Sequence, residues 1–475
     1  MSNRIYSRKE IEDRGNVLQR LLRICQTPCN NIDFAVHYIL IRSHLVKLSQ
    51  IMMTNCMKMF SAFFLLMHRF YSSRLIVNAA ERTFATASVY SPLECFLSAD
   101  AATYGNRNAT FELILAEDYD ELDGPVLTTS IRALKQRGAH RCWHKHSTFL
   151  EHLVGVHDIL RLWGQGKKIA RVGLFHSAYS NSYVNLALFD PSTERDVMTR
   201  LIGSEAEELV HLFCIIDRQN VVVNTVLKQG FIPLEGLSVP HLREADKEVY
   251  LSAETLRLLV VFTMADIADQ YFGWQDQLFG GGGEDGSMII PGQDREGRHD
   301  TAALWPGVSK PGLWMSYVSD LAQVVKRYHD DMVSARDEVL PAIPPVFANG
   351  TSKLSLQDEE KARDLYWSVV SSSGEPDNDP KNIILQLQEC HERNPWAFEP
   401  LVLLAQKLLH QNDYERAQAA ASQALQLQQD WGTAWDKRLS FGAWVAWTRV
   451  LLQRASERDP WPTNSWEVNN LGLVY

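Results

Sequence analysis

From Phe149 to Trp163, the apolar residues Phe149, Leu150, Leu153, Val156, Ile159, Leu160 and Trp163 recur every three or four positions. That period suits one face of an α-helix, not a strand, whose sides alternate every second residue. Such a helix must bury its stripe against a neighbour, so the pattern constrains the chain around it. After Gly164 and Gly166, the residues Ile169, Val172, Leu174 and Phe175 begin a second helix. Residues 196–216 read as a third, with Glu205, Glu207 and Glu208 on its polar side. Leu251 to Tyr271 reads as a fourth, with Ser252 as its N-cap and Thr255 in the first turn. Residues 221–250 open on a β-branched run, Val221 to Val223, and read as a hairpin or loop insertion. The expected fold class is all-α.

A chain of 475 residues, 45% hydrophobic and 22% charged, fits a globular protein of several domains. No apolar run reaches spanning length, since Met57–Met67 is short and interrupted by Lys58. A net charge of −10 argues against a chain built to bind nucleic acid. Seven scattered cysteines, an odd number, read as reduced thiols. The expected setting is therefore intracellular and cytoplasmic, with organelle targeting as the alternative. Cys25 and Cys29 lack a second pair that would complete a zinc site.

Four regions follow. Residues 1–105 are basic: between Arg14 and Ala80 the only acid is Asp33, a bias that also suits weak membrane-surface attachment. Residues 125–335 hold the strongest helical signal. The glycine run at 280–286 lacks the Lys-Ser/Thr of a phosphate loop and reads as a loop. Residues 336–385 read as a linker, with Pro341, Pro344 and Pro345 and the polar run Ser371–Pro380 framing a helix near 355–370. In 386–460, Leu401, Leu404, Ala405 and Leu408 are followed by Tyr414, Ala417, Ala421 and Ala424. Small residues in the second group let two helices lie close. Residues 394–427 thereby resemble a tetratricopeptide repeat, with a degenerate second unit around Trp435, Trp444 and Trp447. One clear repeat is expected to dock on the rest of the chain or on a protein partner.

Six of the 15 histidines fall between His140 and His176, where uniform scatter would put about one. His144 and His146 precede the first helix, His152 and His157 lie on it, and His176 ends the run Val172-Gly173-Leu174-Phe175. Imidazoles from adjacent helices, completed by a carboxylate, suit a divalent transition metal. Asp266, within the apolar stretch Val261–Ala265, supplies a carboxylate that must be paired or ligating. For any one histidine, a helix cap or core hydrogen bond is the commoner role.

The segment His152-Leu153-Val154-Gly155-Val156-His157-Asp158-Ile159-Leu160 resembles the first-ligand helix of the HD-domain hydrolases, metal-dependent phosphohydrolases named for a His-Asp doublet. The nearest branch is that of the alarmone (guanosine tetraphosphate) hydrolases. Val172–His176 is similar to the run ending in the doublet, Ile202–Val210 to the helix that follows, and Met264-Ala265-Asp266 to the last ligand. The likeness covers 140–275, with a longer insertion before the last helix. It extends to an uncharacterised HD-like family of plants, algae and bacteria in which His-Ser replaces His-Asp. It implies an HD-like helical bundle and a metal held by His152, His176 and Asp266, with His146 as an alternative first ligand. Ser177, Tyr179 and Asn181 would flank the site.

The departures bear on chemistry. Ser177 stands where the doublet has Asp, and Ser180 and Asn181 stand where the alarmone hydrolases carry Glu-Asp. The hydroxyl of Ser177 is a far poorer ligand for a hard cation than a carboxylate, and neither Ser180 nor Asn181 can act as a general base near neutral pH. The expected function is a metal-dependent hydrolase of a small phosphorylated substrate (phosphoester or nucleotide) using Fe(II), Mn(II) or Zn(II). Alarmone hydrolysis by that branch's mechanism is not expected, and an iron oxygenase ranks lower. The alternative is a non-catalytic HD-like scaffold acting through its repeat-like C-terminus.

Overall fold

The computed structural model describes residues 107–144, 147–181, 186–270, 310–336, 344–348, 353–372, 379–469 and 471. They belong to one compact unit that spans Val89–Tyr475. The basic region 1–105, His146 and the glycine run at 280–286 lie outside the described residues. The fold is all-α, with two short antiparallel hairpins.

Helices α1 (Arg107–Leu115) and α2 (Pro125–Gln136) lead to a hairpin, β1 (Trp143–His144) with β2 (Ser147–Thr148). The hairpin runs directly into α3 (Phe149–Leu162). Thr148 starts that helix with a capping box. Its hydroxyl accepts from Glu151 N at 3.2 Å, and its own N–H donates to Glu151 Oε2 at 2.8 Å. The expected stripe is buried in full. Helix α4 (Lys167–Phe175) crosses α3 closely, because a Cβ at Gly173 would stand 2.4 Å from Leu160 Cδ1.

The helix expected over 196–216 is two helices, α5 (Arg195–Ile202) and α6 (Ser204–Ile215), broken at Gly203, whose φ of +90° an L-residue rarely adopts. The β-branched run after it is not a strand. Asn220–Leu227 forms a π-helix, and a wider turn of this kind suits a five-residue spacing such as Val221 to Val226, both buried. A hairpin does follow, β3 (Leu237–Pro240) with β4 (Glu248–Leu251). Ser252 then caps α7 (Ala253–Gln270), its hydroxyl accepting from Thr255 N at 3.2 Å. Helix α7 is apolar on nearly every side and is buried accordingly. Helix α8 (Met315–Arg336) packs along it.

Five longer helices follow among the described residues: α9 (Leu356–Ser372), α10 (Pro380–Arg393), α11 (Glu399–His410), α12 (Tyr414–Trp431) and α13 (Phe441–Glu457). Each packs on the next. Within 336–385, read as a linker, α9 buries Ala362 and Tyr366 in the main core. Leu401, Leu404, Ala405 and Leu408 of α11 meet Ala417, Ala421 and Ala424 of α12 in a second core.

The stack is joined to the histidine-bearing half by tryptophans. Trp163 Nε1 donates to Trp431 O at 3.1 Å, and Trp435 Nε1 donates to Gly312 O at 2.8 Å. At the end of α12, Gly432 takes a φ of +71°, and a Cβ there would fall 2.7 Å from Leu162 Cδ1. Thr433 beyond it donates to Ala268 O on α7 at 3.4 Å.

Candidate metal centre

Helices α3, α4 and α7 meet with one candidate metal ligand each at the crossing. His152 comes from the first turn of α3, His176 caps α4, and Asp266 lies in the last turns of α7. One ligand atom from each lies within 4.8 Å of the other two, and all three residues are buried. Asp266 Oδ1 stands 3.3 Å from His152 Nε2 and 3.7 Å from His176 Nε2. Ligand atoms at about 2.1 Å from one cation lie roughly 3.0–3.4 Å apart, so these separations fit a shared ion with little adjustment.

The imidazoles are oriented by acceptors behind them. His152 Nδ1 is 2.7 Å from Asp269 Oδ2, and His176 Nδ1 is 2.7 Å from Gly173 O. A carboxylate and a carbonyl can only accept, so both Nδ1 atoms donate, and in the neutral rings Nε2 keeps its lone pair. Metal-ligating histidines are held in just this way. Gly155 makes the first of these bonds sterically feasible: a Cβ there would stand 2.1 Å from Asp269 Oδ1. Asp266 is held from the other side, with Arg218 on Oδ2 and Gln270 Nε2 donating to Oδ1 at 2.8 Å. Gln270 Oε1 also lies 3.0 Å from His144 Nε2, and the His144 and His152 rings are 4.5 Å apart.

Electrostatics divide the two histidines. Burial disfavours charge on His152, but the hydrogen bonds to Asp266 and Asp269 outweigh it and push its pKa up to about 9. Burial pushes His176 down to about 3, only partly opposed by Asp266. Burial also acts to raise Asp266, yet Arg218 and the hydrogen bond from His152 hold it well below the usual carboxylate range. Without a metal, the surroundings therefore favour the charged form of His152 and the neutral form of His176. Two neutral imidazoles and a carboxylate suit Fe(II), Mn(II) or Zn(II), and a metal entering would displace the His152 proton.

The remaining sequence-derived positions are placed as follows. Ser177 is buried and its Oγ accepts from Asn181 Nδ2 at 2.9 Å. Tyr179 donates its hydroxyl to Glu207 Oε1 at 2.8 Å, in a pair with Arg195. Ser180 Oγ accepts from Arg243 Nη2 at 2.8 Å. His157 belongs to a different network, with Nε2 3.1 Å from Asp123 Oδ2 and Nδ1 2.8 Å from Asp158 Oδ1. Asp269, Gln270 and Arg218 were missed by sequence reasoning. Asp266 and Asp269 are three apart on one helix, a spacing that puts both on one face and could have drawn attention to Asp269. Arg218, in the turn after α6, carries no comparable signal.

Residues 133–218 match the profile of a family described as a domain of unknown function (DUF6817). That stretch includes His152 and His176, ends at Arg218 and leaves Asp266 outside. Among curated proteins and solved structures, none matches this chain. Residues 133–218 are thus similar to a domain family of unknown function.

Proposed function

We propose that the protein holds a divalent transition-metal ion on His152, His176 and Asp266 and hydrolyses a small phosphorylated substrate. One observation carries this reading: two Nε2 atoms and one carboxylate oxygen converge while both Nδ1 atoms are engaged from behind. The ion would supply a Lewis acid and lower the pKa of a bound water. The chain's own residues orient that centre: Asp269 and Gly173 O fix the imidazoles, and Gln270 and Arg218 fix the carboxylate. Ser177, Ser180 and Asn181 add no carboxylate base. The likeness of residues 140–275 to HD-domain hydrolases supports the same reading. Buried Cys214 and Cys390 and half-buried Cys142, all free thiols, accord with an intracellular, cytoplasmic setting. Among the described residues no helix is long and apolar enough to cross a membrane.

The test is metal content by elemental analysis of the wild type, H176A and D266A after reconstitution with Fe(II), Mn(II) and Zn(II). Near-stoichiometric metal in the wild type, lost in both variants, is expected. A metal-free wild type would sink the reading.

A second reading has its own support. His152, charged between Asp266 and Asp269, with Arg218 on Asp266, is an ionic network that needs no metal to be satisfied. A degenerate HD-like scaffold would look this way and would act through its tetratricopeptide-like helices. A cavity of about 780 Å³ on that stack, lined by Lys353, Asp358, Glu389, Glu392, Arg393 and Trp396 among others, is where a protein partner would be sought.

A further inference from the structure

Arg218 is the one guanidinium bonded to the three-residue centre among the described residues, and it is only partly used. Its Nη2 bonds Asp266 Oδ2, the carboxylate oxygen turned away from the imidazoles. Its Nη1 is buried with no hydrogen-bond partner. A buried N–H donor without an acceptor is costly, more so on a charged group, and such orphans are rare in folded proteins. Phe213 supports the arrangement. Its ring centre lies 5.7 Å from Arg218 Cζ, 6.5 Å from the His176 ring and 5.3 Å from the Phe262 ring. The guanidinium is therefore seated beside the same oxygen-and-imidazole cluster that would hold the ion.

Charge points the same way. With a divalent cation bound and His152 neutral, the cation and Arg218 outweigh the two nearby carboxylates, Asp266 and Asp269. The positions where the alarmone hydrolases carry acids add none here, and Ser180 is itself bonded to a second guanidinium, that of Arg243. A buried site with excess positive charge calls for an anionic ligand. A fork with a free donor next to a cation matches a tetrahedral oxyanion better than a neutral group.

We propose that Arg218 is the anion clamp of this centre: its free Nη1 takes one oxygen of a phosphoryl group while another oxygen faces the cation held by His152, His176 and Asp266. The inference rests on the metal-centre reading and deepens it, because it assigns recognition of the phosphoryl group to Arg218.

The experiment loads the full-length protein with Mn(II) and measures the paramagnetic relaxation of inorganic phosphate by ³¹P NMR. Metal content and thermal unfolding are recorded on the same samples. Wild type is expected to relax phosphate well beyond free Mn(II). R218Q is expected to keep the metal and lose at least tenfold in phosphate affinity. R218K, which keeps a cation beside Asp266 and so protects the fold, is expected to keep the metal and lose severalfold. Metal uptake without phosphate relaxation in the wild type, or unchanged phosphate affinity in either metal-loaded variant, overturns the clamp alone. A wild type that binds no metal overturns the metal-centre reading and the clamp with it.

Discussion

His152 and His157 lie five residues apart on α3, both buried and each beside two carboxylates, yet they stand in different chemical situations. His157 is closed. Each of its nitrogens meets one carboxylate, and Asp123 is further paired with Arg161 at 3.2 Å and Lys167 at 3.7 Å. Burial disfavours its charge, but Asp123 and Asp158 outweigh that and raise its pKa, so its surroundings favour the charged ring in a structural network. His152 is open on one side: its Nδ1 is engaged by Asp269, while Nε2 shares Asp266 Oδ1 with a second imidazole. One oxygen facing two imidazoles is a poor structural salt bridge, because both rings cannot be charged at once, and a good place for a cation. A histidine's neighbourhood, not its burial or its enrichment along the chain, separates a strut from a ligand.

The sharpest way to break this comparison is to remove the acid at the centre of the closed network. D123A leaves His157 and Arg161 buried without their partner, and should cost about 3–5 kcal/mol in chemical denaturation. Its metal content should match the wild type's once folded. Parallel loss of metal would show that the two networks are one.

A smaller effect is expected behind the open histidine. D269N removes the carboxylate that orients His152, and loss of such a partner lowers metal affinity by about 10–100-fold. Competition with a chelator would measure it, and wild-type affinity would leave His152 with no need of Asp269.

The pH dependence has opposite signs with and without metal. The folded-state pKa of His152, pushed up to about 9, lies above the unfolded value of 6.5. Its charge therefore stabilises the metal-free protein fully below pH 6.5, and that stability is lost as pH rises from 6.5 through 9. Metal binding must displace the same proton, so affinity should rise with pH over that window by up to about tenfold per unit. Calorimetry in buffers of different ionisation enthalpy would count the released proton. A flat affinity profile would place His152 outside the ligand set.

The mildest probe is G155A. Its Cβ meets Asp269 Oδ1, so Asp269 must shift, and metal affinity should fall by less than in D269N, about severalfold. An effect larger than that of D269N would mean that α3 and α7 themselves separate.

Much of the fold was legible because its signal is local. The stripe on α3, the Ser252 cap and the helix near 355–370 follow from residue spacing and capping chemistry within a turn or two. The Val221–Val223 run misled because β-branched residues favour strands only as a weak prior. Tertiary burial of Val221, Val222 and Val226 accompanies a π-helix instead. The break at Gly203 was visible as a glycine but not as a boundary, since only its positive φ separates α5 from α6.

At the candidate site the same division holds. Residue type and spacing were enough to say which side chains could ligate and on which helices they would sit: His152, His176 and Asp266 could be named from these and from their likeness to a known pattern. Long-range packing pairs His157 with Asp123, commits Tyr179 to Glu207, and brings Asp269 and Arg218 to the centre. The physical reason is one of range. Helical periodicity is written every three or four residues, whereas a carboxylate chooses among imidazole, guanidinium and phenol partners only when packing brings residues 28 to 117 positions apart within hydrogen-bond distance.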